Sequence, residues 1–487
     1  MSASTQSIVR RPPVSALALI CAAQFVLQLD FSIVNVALPT MQLELGFAAA
    51  DLQWVVTGYA LTFGSLLLLG GRAGDLLGRR RLLLLGLLLF ALASLTCGLA
   101  LSPLMLILSR FVQGAGAAFV SPSALSMLTT TNAEGAARNR ALSIWQATTA
   151  AGASAGVIAG GVLTQYLGWR AIFLVNLPII AVLLILIPRA IPDDKRTGRQ
   201  RIDVLGAVLV TASAAALIYG LSSGQQQGFG SPGTVLALGA AVLLALAFVL
   251  VERKTTTPMV PFSYFSSPTH RAAVGAMLLM GAVLAGYVYF TSLYMQRVLG
   301  ESALLTGLSL VPSTATVILV STFATRRLLD RLGVKRLLLL GLASMGVGQV
   351  WLSFMTSGGS YVVNVLPGLL LTAFGIALAL PTASIGATTG VDRREQGLAG
   401  GLLTTGQQMG SAVGLALLAT IAAAHTGQTG SLAAGYGFSY LVATGIVLIA
   451  LVLVATQLNH KACQSELARQ RPEAAQTRTA ALLRKEA

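Results

Sequence analysis

The chain has 487 residues and a net charge of +16; 55% of its residues are hydrophobic and only 10% are charged. Soluble domains carry about 25% charged residues, so this composition excludes a water-soluble globular fold and makes lipid the expected solvent. The positive charge does not point to nucleic acid, because Lys and Arg lie in short loops between long apolar runs rather than on one polar face.

A helix needs about 20 apolar residues to cross about 30 Å of hydrocarbon. The first run, 15–38, follows Arg10 and Arg11. It exceeds the roughly 7–15 residues of a signal-peptide core and reads as a retained span. Further runs follow at 52–71, 82–102, 103–129, 141–163, 171–190, 204–223, 233–251, 272–295, 304–325, 337–356, 361–386, 397–423 and 433–457, which predicts about fourteen spans. Each must satisfy its own backbone in lipid, so helices are required. Continuous rather than alternating apolarity excludes a barrel.

With the N-terminal tail (1–14) in the cytoplasm, the basic residues gather at cytoplasmic span ends. Of 32 Lys and Arg, only Arg170 and Arg297 fall in outside loops and Arg110 within a span. The positive-inside rule then places both termini in the cytoplasm. The tail 458–487 is polar, charged and expected to be disordered. Cys21, Cys97 and Cys463 form no disulfide framework, and His270, His425 and His460 lack metal-ligand spacing.

An internal repeat organises the runs. Asp75-Leu-Leu-Gly78-Arg-Arg-Arg81 reappears as Asp330-Arg-Leu-Gly333-Val-Lys-Arg336. Each copy lies between the second and third spans of a half. This predicts an all-α membrane protein: a six-helix bundle over 15–190, a linker with two extra helices over 191–260, and a second six-helix bundle over 261–457. Parallel halves of this kind bind substrate between them near the midplane.

Several stretches resemble the major facilitator superfamily, in particular its drug:proton antiporter branch with fourteen spans. They are Gly71-Arg-Ala-Gly-Asp75-Leu-Leu-Gly78-Arg79-Arg80, Leu29-Asp30-Phe-Ser-Ile-Val-Asn35-Val-Ala-Leu-Pro39, Arg110-Phe-Val-Gln113-Gly114-Ala-Gly116 and Trp169-Arg170-Ala-Ile-Phe173-Leu-Val-Asn176-Leu-Pro178. The resemblance implies that Gly71, Asp75, Gly78 and Arg79 latch the two halves; the alternative is a plain topology anchor. It also implies that the first and fourth helices line the cavity. On the fifth helix the family's Gly-Pro-x-x-Gly-Gly is replaced by Gly156-Val157-Ile158-Ala159-Gly160-Gly161, so a kinking proline is missing from a motif associated with export.

Of 16 acids, only Asp30 lies well inside an apolar run. An unpaired charge there costs at least about 2.5–3.5 kcal/mol. A carboxyl that is charged when wet and neutral when dry suits proton coupling; the alternative is a structural carboxylate bonded to neighbouring helices. Arg110 is the natural partner, because helix rise places both residues at similar depth in the outer half. Gln24, Gln28, Phe31 and Asn35 share one helical face, and at 100° per residue Asp30 points about 120° away, towards a neighbouring helix. Gly152, Gly156 and Gly160 recur every four residues, a spacing that lets helices pack backbone to backbone; Gly161 completes the motif.

Candidate cavity residues are Phe25, Gln28, Phe31, Asn35, Trp54, Tyr59, Gln113, Trp145, Tyr287, Tyr289, Phe290, Gln407 and Gln408, with packing as the alternative for most of them. Such groups suit a small amphipathic organic substrate. No nucleophile set or phosphate-cradling loop stands out, so no enzymatic activity, cofactor or metal is expected. The expectation is a monomeric exporter in the cytoplasmic membrane that exchanges substrate for protons by alternating access. Uptake or facilitated diffusion of a metabolite is the rival, and a non-transporting sensor or scaffold is a third reading.

Overall fold

A computed structural model describes residues 14–48, 51–131, 136–192, 203–255, 258, 260, 262–389, 391 and 396–458. The tails expected at 1–14 and 458–487 fall almost wholly outside these residues. The described chain forms α1 (Val14–Leu45), α2 (Trp54–Leu77), α3 (Arg79–Gly98), α4 (Pro103–Thr131), α5 (Ala136–Leu167), α6 (Ala171–Leu174), α7 (Asn176–Ala190), α8 (Val204–Gln227), α9 (Pro232–Lys254), α10 (Pro268–Arg297), α11 (Ala303–Leu319), α12 (Thr325–Ser353), α13 (Leu366–Thr388), α14 (Gln396–Thr429) and α15 (Leu432–Gln457). Among the described residues twelve helices are long and apolar enough to cross a membrane, and α2 contributes a shorter apolar stretch, Trp54–Leu67.

One predicted span is built differently from its sequence run. The tenth continues from α11 through a wide π-turn, Val320–Ala324, into the start of α12. It ends at Gly333, where φ 73° and ψ 171° break the helix. Gly78 turns the chain between α2 and α3 in the same way, with φ 94° and ψ 129°. A positive φ is open to glycine and strained for other residues, so both copies of the repeat keep a glycine at the corner.

The halves share one packing plan. α1 packs on α5 and α7, and α10 packs on α14 and α15. A Cβ on Gly152 or Gly160 would lie 2.8 or 2.7 Å from the carbonyl oxygens of Phe25 and Ile33, and one on Gly156 would meet Ser32 and Leu29. These glycines therefore let α5 lie directly on the α1 backbone. Gly410 and Gly414 do the same on α14 against Leu278 and Ala282 of α10, with Gly406 in ordinary contact with Val274.

The halves meet where α2 packs on α14 and α5 on α11. Gly64 faces Gln408, while Gly161 faces Ala303 and Leu304, and Gly307 faces Val157. The distal face is the one opposite the ends where α1 begins and α15 finishes. At that face a single apolar cluster runs through both halves, from Ile33, Val36 and Leu38 to Tyr289, Leu293 and Leu310. α8 lies across the seam: Ala214 and Ile218 pack with Ala60 and Leu61 of α2 and Ala412 and Ala416 of α14. The linker before α10 is pinned to α13, where the Tyr264 hydroxyl donates to the Ala387 carbonyl at 2.6 Å. Burial pushes that phenol up to about 12, so it stays a donor at neutral pH.

Candidate functional site

The apolar core of the N-terminal bundle encloses one polar knot. Asp30 is 0% exposed and Arg110 1% exposed, and Arg110 Nη1 lies 2.7 Å from Asp30 Oδ2. An ion pair this deep is favourable only when the remaining donors and acceptors are also satisfied, and here most are. Gln113 Nε2 donates to Asp30 Oδ1 at 2.8 Å, and Asn176 Nδ2 donates to the same oxygen at 2.7 Å. The carboxylate thus accepts from three side chains on α4 and α7.

Arg110 is equally occupied. Its Nε donates to the Val55 carbonyl at 2.8 Å and its Nη1 to Gln113 Oε1 at 2.6 Å. Its guanidinium sits 4.4 Å from the centre of the Tyr59 ring and 5.8 Å from that of Phe173, within the range of cation–π attraction. Ser94 of α3 closes the network by accepting from Gln113 at 2.7 Å and from Asn176 at 3.4 Å. The knot therefore joins α1, α2, α3, α4, α6 and α7. Asn176 Oδ1 is buried and has no hydrogen-bond partner.

Asp30 looks into the bundle, away from the α1 face that carries Gln24 and Gln28. On that face Gln28 and Phe31 remain partly exposed, and Phe31 stacks obliquely on Tyr59 with centroids 5.8 Å apart. Asn35 turns back to bond the Phe31 and Ser32 carbonyls of its own helix. The knot has no counterpart in the C-terminal half. The glycine register that sets Leu29 against Gly156 sets Leu278 against Gly410, so Asp30 corresponds to Leu279. Likewise Gly86–Gly116 corresponds to Gly341–Gly375, so Arg110 corresponds to Leu369.

The other candidates are dispersed. Tyr59 and Gln113 belong to the knot rather than to a cavity wall, and Trp145 is buried in the same bundle core. Tyr287, Tyr289 and Phe290 are buried in the second half. Tyr287 there donates to the Leu369 carbonyl at 3.2 Å and lies 2.7 Å from Ser313 Oγ. Trp54 packs on Phe111 at 5.9 Å. Phe25 and Gln28 back the glycine ladder, Gln407 packs on Gly281, and Gln408 sits on the seam. Of the latch residues, Gly71 approaches Pro122, Gly78 forms the corner, and Arg79 is engaged by a partner. The Asp75 side chain lies outside the described residues. Ser94 and Asn176 complete the knot although neither was assigned a role from sequence. The signals are a polar residue inside an apolar run for Ser94 and, for Asn176, its place in the Trp169–Pro178 stretch.

A buried carboxylate clamped between bundle helices, on a scaffold of two repeated halves, is the construction of a membrane transporter, and the comparisons agree. The profile of the Major Facilitator Superfamily matches residues 20–415. The chain belongs to the major facilitator superfamily. It is 39% identical to the cephamycin export protein CmcT of Amycolatopsis lactamdurans over 91% of this chain and 92% of that one. It is 37% identical to the puromycin resistance protein pur8 of Streptomyces alboniger over 87% and 84% of the two chains. A crystal structure of a peptide transporter, POT, in complex with sulfate shares the fold with a TM-score of 0.69 at 16% identity, over 95% of this chain and 99% of that one.

Proposed function

We propose that this protein is a proton-coupled exporter of small amphipathic organic compounds, working by alternating access as a monomer in the cytoplasmic membrane with both termini in the cytoplasm. The observation that carries the reading is the Asp30–Arg110 pair, fully enclosed yet built from one acid and a ring of donors. Relatives named for cephamycin export and puromycin resistance supply the direction and the class of compound.

The chemistry follows from the donor count. As a carboxylate, Asp30 is acceptor-only and ties α1 to α4 and α7. A proton arriving on it cancels the attraction to Arg110 and turns one oxygen into a donor. The Asn176 amide, whose oxygen is otherwise unpartnered, can turn over to accept that proton's hydrogen bond. α1 is then released from α4, and its other face, with Gln28 and Phe31, moves against the opposite half. In this scheme substrate and proton occupy different faces of one helix, and no cofactor takes part: the proton gradient supplies the work. Asp75 and Arg79 serve as a latch at the cytoplasmic end.

The test is accumulation of puromycin and of a cephamycin in cells that lack or overproduce the protein. The expected result is lower accumulation on overproduction, abolished by a protonophore. Higher accumulation on overproduction would establish uptake instead.

A further inference from the structure

At the distal face, the end of α1 and the end of α10 border an open cleft of about 530 Å³, within the size range of small-molecule sites. Its walls come from both halves: Gln42 lies in the last turns of α1 and Phe47 just after it, while Gln296, Arg297 and Glu301 belong to the other half. Phe47 gives it a buried apolar wall. Gln42 donates its Nε2 to the Phe47 carbonyl, which leaves its buried Oε1 without a partner. Arg297, whose guanidinium also meets the Tyr436 hydroxyl, and Glu301 are both half-buried, and no ion pair joins them among the described residues. The cleft thus offers a cation and an anion beside an apolar wall.

We infer that this cleft is a binding site for a small amphipathic zwitterion, with Arg297 taking its anionic end and Glu301 its cationic end. The inference rests on the proposed transport cycle only for its consequence. Gln296 Nε2 donates across the seam to the Val36 carbonyl at 2.9 Å, so the two walls are held together only while the distal ends are closed. A ligand that touches both walls binds that state better than one in which the walls part, and so shifts the population towards it. In an exporter, compound accumulating outside would hold the outer gate shut.

The experiment uses the purified full-length protein with three probes that share one ring: phenylalanine (zwitterion), phenylacetate (anion) and phenethylamine (cation). Binding is read by thermal stabilisation, and gate closure by the distance between spin labels at exposed Leu101 and Leu305. The expected result is saturable stabilisation by phenylalanine, about tenfold weaker in Arg297→Gln and in Glu301→Gln, as for the loss of one charge-assisted contact. The single-charge probes should bind more weakly, and phenylalanine should narrow the label distances to the closed value. No saturable binding of phenylalanine, or wild-type binding in either variant, overturns the site. Binding without any change in label distances overturns the gating. These readouts need no transport, so their failure is separable from failure of the exporter reading.

Discussion

Arg110 shows why the charge knot tolerates so little change. One guanidinium serves the Val55 carbonyl, Asp30 and Gln113 at once while lying against the Tyr59 ring. A lysine ammonium is a point charge without that fixed fork, so Arg110→Lys should insert normally yet lose most proton-driven transport; wild-type flux in vesicles would refute this. Asn176→Ala deletes a donor at 2.7 Å from the carboxylate. Hydrogen bonds to charged groups are worth about 1.5–3 kcal/mol, so the variant should unfold earlier in a melting experiment, by more than alanine at Thr148, a half-buried helix position outside the knot. Asp30 was legible in the sequence because it is the one acid deep in an apolar run, and Arg110 followed from its depth. Ser94 and Asn176 were not, because a single hydroxyl or amide in an apolar run does not reveal which neighbour it faces. Gln113 was noticed but placed in the cavity, since sequence spacing does not distinguish a wet face from a satisfied interior one.

Among the helices, glycines divide into two classes with opposite consequences. Gly152, Gly156 and Gly160 hold α5 to α1 within one half, whereas Gly161 and Gly307 are the crossing of α5 and α11 between halves. A Cβ on Gly307 would stand 2.8 Å from the Val157 carbonyl oxygen. Overpacking costs about 1–3 kcal/mol, and at Gly307 that cost is confined to the state with joined distal ends. Gly307→Ala should therefore favour distal opening by about 5- to 150-fold, read as faster labelling of a cysteine placed at buried Leu310 in a background free of native cysteines. Gly152→Ala should lower the melting temperature without changing that labelling rate; equal effects of the two changes would contradict the division. The sequence displayed the α5 ladder but hid its partner Gly406, Gly410 and Gly414, because α14 is so rich in small residues that the four-residue spacing does not stand out. The corner at Gly333 was legible only through its repeat at Gly78.

Across the whole molecule, the two halves have a common backbone plan and unequal chemistry. The N-terminal bundle holds the buried ion pair, while the matching positions of the C-terminal bundle are Leu279 and Leu369, and tyrosines hold its core together. Composition, run lengths and the Asp75/Asp330 repeat were enough to read this layout, since hydrophobicity and backbone satisfaction leave few choices in lipid. They were not enough to show that α8 packs across the seam, because that depends on which helix sides meet, whereas the helical register already turned Asp30 towards a neighbouring helix. One half is thus expected to carry the proton step, with substrate never touching its carboxylate. Asp30→Asn in liposomes tests this most directly, with proton flux and substrate exchange measured on the same preparation. The expected result is loss of substrate-driven proton flux with substrate exchange at equal concentrations retained; proton flux at the wild-type rate would contradict the account.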